Sequence, residues 1–235
     1  VTVTALPSDL TATVQSSPIC SGTGTNIQIA NSQSGVSYQL RSNVDNSLVG
    51  SPVAGNGGTI NLPTGNITIG VSTATFNYNV YATQANGCTR QLSNIVSVQV
   101  IANPSGGSIS SSSFCSGESV TIFVTGVSNA SANEYVWSLP AGLSGSSTSN
   151  SITVSGNVAG NYTVTVTPRN VSLPAVCNGT PVTGVVSVKP NPVVTVTNNA
   201  PSICSGSNAS IVLSSDVIGT TFNWTRTNTG NVNGS

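Results

Sequence analysis

Five cysteines carry most of the chemistry this 235-residue sequence could perform. Three stand second in near-identical tetrapeptides, Ile19-Cys20-Ser21-Gly22, Phe114-Cys115-Ser116-Gly117 and Ile203-Cys204-Ser205-Gly206, which lie 95 and then 89 residues apart. Cys88 and Cys177 each follow one of these motifs. Thiols bind zinc, act as nucleophiles or oxidise in pairs. Zinc calls for Cys-x-x-Cys spacing or histidine partners, and the sequence has neither. A catalytic thiol needs a base, and there is no His to supply one. That leaves disulfides, which an oxidising, extracellular setting permits.

Two pairing schemes are open. Each repeat could close on itself, Cys20 with Cys88 and Cys115 with Cys177, leaving Cys204 for a partner elsewhere. Alternatively Cys20 joins Cys177 across repeats, with Cys88 pairing backward and Cys115 forward. In a seven-strand sandwich Cys115, before the second strand, lies at the far end, and Cys177, in the sixth-to-seventh connection, at the near end. A strand of about eight residues spans roughly 26 Å, whereas bridged Cα atoms approach to within about 7 Å. Loop-closure entropy is about 4–5 kcal/mol for either scheme and does not choose between them.

The remaining chemical groups are sparse. The carboxylates Asp9, Asp45, Glu118, Glu134 and Asp216 are scattered over linkers, turns and strand starts, which argues against a glycosidase pair. A Ser-His-Asp arrangement is excluded without His, and no Gly-Lys-Ser/Thr phosphate loop occurs. Asp9 and Asp216 are loose calcium candidates at domain joints, too isolated to count as a metal site. Lys189 is the single lysine, so an amide cross-link to Asn cannot be a general device. No cofactor, metal site or catalytic residue is expected. Five dispersed cations cannot neutralise a row of phosphates, so nucleic acid is not an expected partner. No run of 18 apolar residues occurs, and no direct membrane insertion is expected.

Period-2 runs of β-branched residues must position the cysteines. Thr163-Val164-Thr165-Val166-Thr167 and Ile95-Val96-Ser97-Val98-Gln99-Val100 are examples. Gly and Pro punctuate them as turns, and no amphipathic helix emerges. The expected class is all-β. Strands are predicted near 11–15, 26–30, 36–41, 48–53, 59–62, 76–83 and 89–101, with Asn86-Gly87 as a hairpin turn. The second set falls near 108–111, 119–124, 134–139, 151–155, 161–167 and 183–189. Seven short strands per period of about 90 residues suggest tandem immunoglobulin-like Greek-key sandwiches, arranged as an elongated rod. The expected divisions are the last strand of a preceding repeat (1–7), repeat one (8–102), repeat two (103–189) and the first part of repeat three (190–235). Pro104, Pro190 and Pro192 stiffen the joints. The aromatics Tyr38, Tyr78, Tyr135, Trp137, Tyr162 and Trp224 are expected in the cores, with Leu40 taking the tryptophan slot of repeat one.

The Cys-Ser-Gly motifs, the Tyr/Phe-x-Trp segments about 20 residues later, Gly160-Asn-Tyr-Thr-Val-Thr-Val and Asn86-Gly-Cys-Thr together resemble the PKD-like and Ig-like repeats of large Bacteroidota surface proteins. Ser37-Tyr-Gln-Leu-Arg, Val49-Gly-Ser-Pro-Val-Ala-Gly, Gly58-Thr-Ile-Asn-Leu-Pro and Arg90-Gln-Leu-Ser-Asn strengthen the resemblance in repeat one. The PKD motif Trp-x-Phe-Gly-Asp/Asn-Gly is absent. The resemblance implies cell-surface adhesins, of the gliding-motility type, exported by the type IX system, and it implies no active site. The expected function is a non-catalytic stalk segment of a long extracellular adhesin or surface filament. The expected partners are neighbouring repeats of the same chain, with surface glycans or other cell-surface proteins beyond them. The alternatives are a glycan-binding module, using exposed aromatics or the loop 169–180, and spacer domains of a secreted enzyme.

Overall fold

The alternation of Val, Ile and Thr with small polar residues produces strands throughout. The computed structural model describes residues 3–128, 132–171, 176–225 and 227. Val1 and Thr2, half of the strand assigned to a preceding repeat, lie outside the described residues, and Val3–Pro7 join no ladder.

The first unit runs through β1 (Ala12–Val14), β2 (Ile19–Cys20), β3 (Asn26–Ile29), β4 (Val36–Ser42), β5 (Leu48–Ala54), β6 (Ile60–Pro63), β7 (Thr73–Gln84), β8 (Thr89–Gln91) and β9 (Val96–Ile101). One sheet has the order β1-β3-β6, and the other β2-β9-β7-β4-β5, with β8 on β7. The pairs are antiparallel except β2 on β9. Alternate residues turn inward. Ile27, Ile29 and Leu62 from one sheet meet Tyr38, Leu40, Val80, Val98 and Val100 from the other, and all are essentially inaccessible to solvent.

The second unit repeats the plan with β10 (Ser105–Ile109), β11 (Ser112–Cys115), β12 (Ser119–Ser128), β13 (Glu134–Ser138), β14 (Ser151–Ser155), β15 (Gly160–Asn170), β16 (Cys177–Asn178) and β17 (Val182–Lys189). Its sheets are β10-β12-β14 and β11-β17-β15-β13, with β16 on β15. Here too the one parallel pair is β11 on β17. Ile122, Val124, Ile152, Val154, Val164, Val166 and Val186 make a second core, separate from the first. A third set begins with β18 (Val194–Asn198) and β19 (Ile211–Ser215), paired antiparallel as β10 pairs β12. The architecture is all-β, of immunoglobulin-like sandwiches in which the opening strand divides between the two sheets.

Three expectations change. The last strand of repeat one is two strands, not one spanning 89–101. Between β8 and β9 the chain bulges so that Leu92 enters the core and its N–H donates to Val80 O at 2.9 Å. The Asn94 side chain meanwhile brackets the Ala12 backbone, accepting from Ala12 N at 3.1 Å and donating to Ala12 O at 2.7 Å. The Asn86-Gly87 hairpin is also longer than a two-residue turn. Gly87 N–H donates to Gln84 O, and Gly87 alone is left-handed, which is a type I turn followed by a glycine bulge.

The aromatics divide. Tyr38 and Tyr78 are buried, and Tyr135, Trp137 and Tyr162 pack half-buried against the second core. Trp224 is not a core residue here, being 65% exposed. Its reason is geometric: β18–β19 is a two-stranded sheet that no second sheet covers among the described residues.

Because the cores are separate, damage to one should stay local. Leu40→Ala should cost the first unit about 2–5 kcal/mol. In urea unfolding followed by far-UV circular dichroism, a transition of first-unit amplitude should move to lower denaturant, while the transition followed by Trp137 fluorescence stays in place. A shared shift would mean one cooperative core.

Candidate functional site: the joint between the sandwiches

The structure joins Cys20 to Cys177, with their Cα atoms 5.4 Å apart and 157 residues between them in sequence. Neither in-repeat bridge, Cys20–Cys88 or Cys115–Cys177, is made, and Cys88, Cys115 and Cys204 have no disulfide partner within this segment. Strand register explains why. Cys115 pairs with Lys189 at the end of β15 marked by Gly160, since Val188 pairs with Gly160. Cys177 pairs with Asn170 at the opposite end of β15. Eleven residues of β15 therefore separate the two cysteines, a distance of about 36 Å that no disulfide crosses. The same holds for Cys20 and Cys88 across the twelve residues of β7.

Each Cys-Ser-Gly motif folds into the same turn. The cysteine carbonyl accepts from the amide three residues on: Thr23 N at 3.1 Å, Glu118 N at 2.9 Å and Ser207 N at 3.0 Å. The glycine between them has φ of 85°, 87° and 86° at Gly22, Gly117 and Gly206. That left-handed value, at the third turn position, is what glycine adopts without strain. The turn is then tied to the strand that leaves the unit. Ser21 N donates to Ile101 O, and Ser116 N donates to Lys189 O, each at 2.8 Å. An Asn-Pro linker closes the arrangement: Asn103 Nδ2 donates to Ser21 O at 3.1 Å, and Asn191 Nδ2 to Ser116 O at 2.8 Å.

On the other side of the bridge, Cys177 is wholly buried and Cys20 nearly so. The segment after Cys177 grips the linker, with Thr180 N donating to Pro104 O at 3.3 Å and Gly179 N to Pro168 O at 2.8 Å. A Cβ on Gly179 would lie 2.4 Å from Pro104 O and 2.9 Å from Pro168 O, so only glycine lets these backbones approach. Sequence reading found the cysteines and prolines of this joint. It missed Asn103 and Asn191, whose signal is the recurrence of Asn-Pro at both joints, and Gly179, which has no counterpart after Cys88 and carries no sequence signal.

The other sequence candidates do not converge on a site. Asp9 Oδ1 accepts from Ser93 N at 2.9 Å, and that bond holds its carboxyl below the usual carboxylate range. Asp216 Oδ1 accepts from Val193 N at 2.8 Å. Asp45 accepts from the Ser47 hydroxyl and amide inside its own turn, which lowers its pKa. Glu134 meets Arg169 at 3.9 Å on the β13–β15 edge. Among the described residues no three of His, Cys, Asp or Glu gather in a metal-binding group. Trp137 spends its indole N–H on Ser149 O at 2.9 Å. Residues 172–175 of the loop 169–180 lie outside the described residues.

Reducing agent should therefore reach the bridge slowly, because both sulfurs are covered. Gly179→Ala should force the linker aside and speed reduction of Cys20–Cys177 several-fold, as read by mass spectrometry after timed dithiothreitol exposure. Gly70→Ala, where the added Cβ meets open space, should leave the rate unchanged.

No protein-family model matches the chain, and no curated protein matches it. Solved structures are similar at low identity. The fibronectin(III)-like modules of Clostridium thermocellum CbhA align at 15% identity and TM-score 0.40, over 77% of this chain and 95% of theirs. The C-terminal 282-residue fragment of intimin, in complex with the intimin-binding domain of its translocated receptor, aligns at 12% identity and TM-score 0.40, over 82% of this chain and 67% of that one. Chicken CNTN1 FN1–FN3 domains align at 13% identity and TM-score 0.35, over 79% of this chain and 65% of that one.

Proposed function

We propose that the chain is a non-catalytic stalk segment of a long extracellular adhesin or surface filament, in which the first repeat is covalently stapled to the second. The single observation that carries this reading is the bridge from Cys20 to Cys177. A disulfide inside one sandwich stabilises that sandwich. A disulfide between two cores instead fixes one unit against its neighbour, which serves a device that must hold direction and bear load. The disulfide also suits a secreted or cell-surface location. The low charge, five acidic and five basic groups in 235 residues, keeps interactions along the surface insensitive to salt. The repeats, by their resemblance to Bacteroidota surface proteins, suit a cell-surface adhesin of the gliding type, with the units divided near residues 102 and 189 and set end to end as a rod.

Nothing favours glycan binding at Tyr135 and Trp137. Tyr135 and Trp137 pack against the second core, and stacking on a sugar needs a free ring face.

Small-angle scattering of the oxidised chain should show an elongated particle with a well-defined maximum dimension. The Cys20→Ser/Cys177→Ser variant, with both sandwiches intact by circular dichroism, should show a broader distance distribution from bending at the joint. A compact globule, or identical curves for the two proteins, would contradict the stalk reading.

A further inference from the structure

The joint after the second sandwich carries the same fittings as the joint after the first. Cys115 ends β11 as Cys20 ends β2, each paired in parallel with the strand that leaves its unit. Ser116 and Ser21 are held by the same two bonds, one from the backbone and one from the linker asparagine. Yet Cys20 is bridged and Cys115 is not. The spacing between joints also repeats. Cys88 to Cys115 is 27 residues, and Cys177 to Cys204 is 27 residues. Cys88 sits at the β7–β8 turn where Cys177 sits beyond β15. The lead-in residue Thr4 lies 3.4 Å from its sulfur, much as the linker at Pro104 runs beside the segment after Cys177.

We propose that one pairing rule governs every cysteine: the Cys-Ser-Gly cysteine of each repeat bridges to the cysteine between the sixth and seventh strands of the next. This rests on the stalk reading and extends it. Cys115 then takes a cysteine in the following repeat, as far beyond Cys204 as Cys177 lies beyond Cys115. Cys88 takes the Cys-Ser-Gly cysteine of a preceding repeat, and Cys204 pairs forward again. In each bridge two thiols form one S–S bond. They give up two protons and two electrons to the disulfide of an oxidising thiol–disulfide exchange protein, which leaves as a dithiol.

The rule has a mechanical consequence. Starting from Cys177, the covalent path runs through β17, the Asn191 linker and β18 to Cys204, then crosses to the repeat that follows the one holding Cys204. Starting from Cys88 it runs through β9, the Asn103 linker and β10 to Cys115, and crosses likewise. Two interleaved threads therefore run along the array, each made of last strands, linkers and first strands. A 27-residue stretch is about 90 Å when extended. Two sandwiches whose longest strands have eleven and twelve residues together span about 75 Å plus a linker, so the threads are nearly taut in the folded array.

The test is disulfide mapping of the full-length natural protein, alkylated without reduction, digested and sequenced by mass spectrometry. The rule predicts that Cys115 is recovered in a peptide linked to the following repeat, Cys88 in one linked to a preceding repeat, and that both take alkylating label only after reduction. A Cys20–Cys177 peptide accompanied by alkylated, unpaired Cys115 would overturn the rule and leave the stalk reading standing. Cys115 linked within its own repeat, with Cys20–Cys177 absent, would overturn both.

Discussion

A disulfide reaches about 7 Å between Cα atoms, and a strand of eleven residues runs about 36 Å. The way this chain is held together depends on that difference. In each sandwich the two cysteines sit at opposite ends of the longest strand, β7 or β15. A cysteine so placed cannot close its own unit and is free to close on a neighbour. The glycine-turned Cys-Ser-Gly motif, the asparagine that ties it to the linker and the backbone approach at Gly179 present the sulfur of one unit to the other. Loop closure over 157 residues corresponds to about 5 kcal/mol of chain entropy. The larger effect is positional, because each unit already has its own core.

The parallel pairs fit the same picture. The first strand of each unit divides, so that β1 and β10 serve one sheet while β2 and β11 lie parallel to the strand that leaves the unit. Once the bridge is reduced, these parallel neighbours are pulled from opposite ends and slide along one another, which loads every rung of the ladder together. The bridge leaves from the end of that short strand. Through this bridge, tension entering by β1 and β2 passes to Cys20, crosses to Cys177 and leaves by β17, bypassing strands β3 to β15, of which β9 to β11 belong to the other thread of the proposed array.

Much of the fold was legible in the sequence, for a physical reason. Strand periodicity reports which face is buried, and Ile27, Ile29, Val164 and Val166 fall where alternation places them. The exchange of tryptophan for Leu40 reads as a core substitution, and Leu40 is a core residue. What escaped was decided by hydrogen bonds rather than by periodicity. Ile19–Cys20 and Ser112–Cys115 are too short and too polar to show a period. The break after β8 depends on Asn94 and Asp9 reaching residues more than 80 positions away. Trp224 has the pattern of a core residue, but its burial requires a second sheet, and composition says nothing about which partners are present. The cysteine pairing stayed open because the end each cysteine occupies follows from the strand count, and a count wrong by one strand moves a cysteine to the other end.

Pulling the oxidised chain from its two ends in a single-molecule force experiment tests the central claim most directly. If the bridge carries the load, the residues between Cys20 and Cys177 cannot extend while it is intact, and reduction or Cys20→Ser releases roughly 500 Å of additional contour length. Traces that superimpose in the presence and absence of reductant would show that the two sandwiches are not covalently stapled and that the load runs through each in turn.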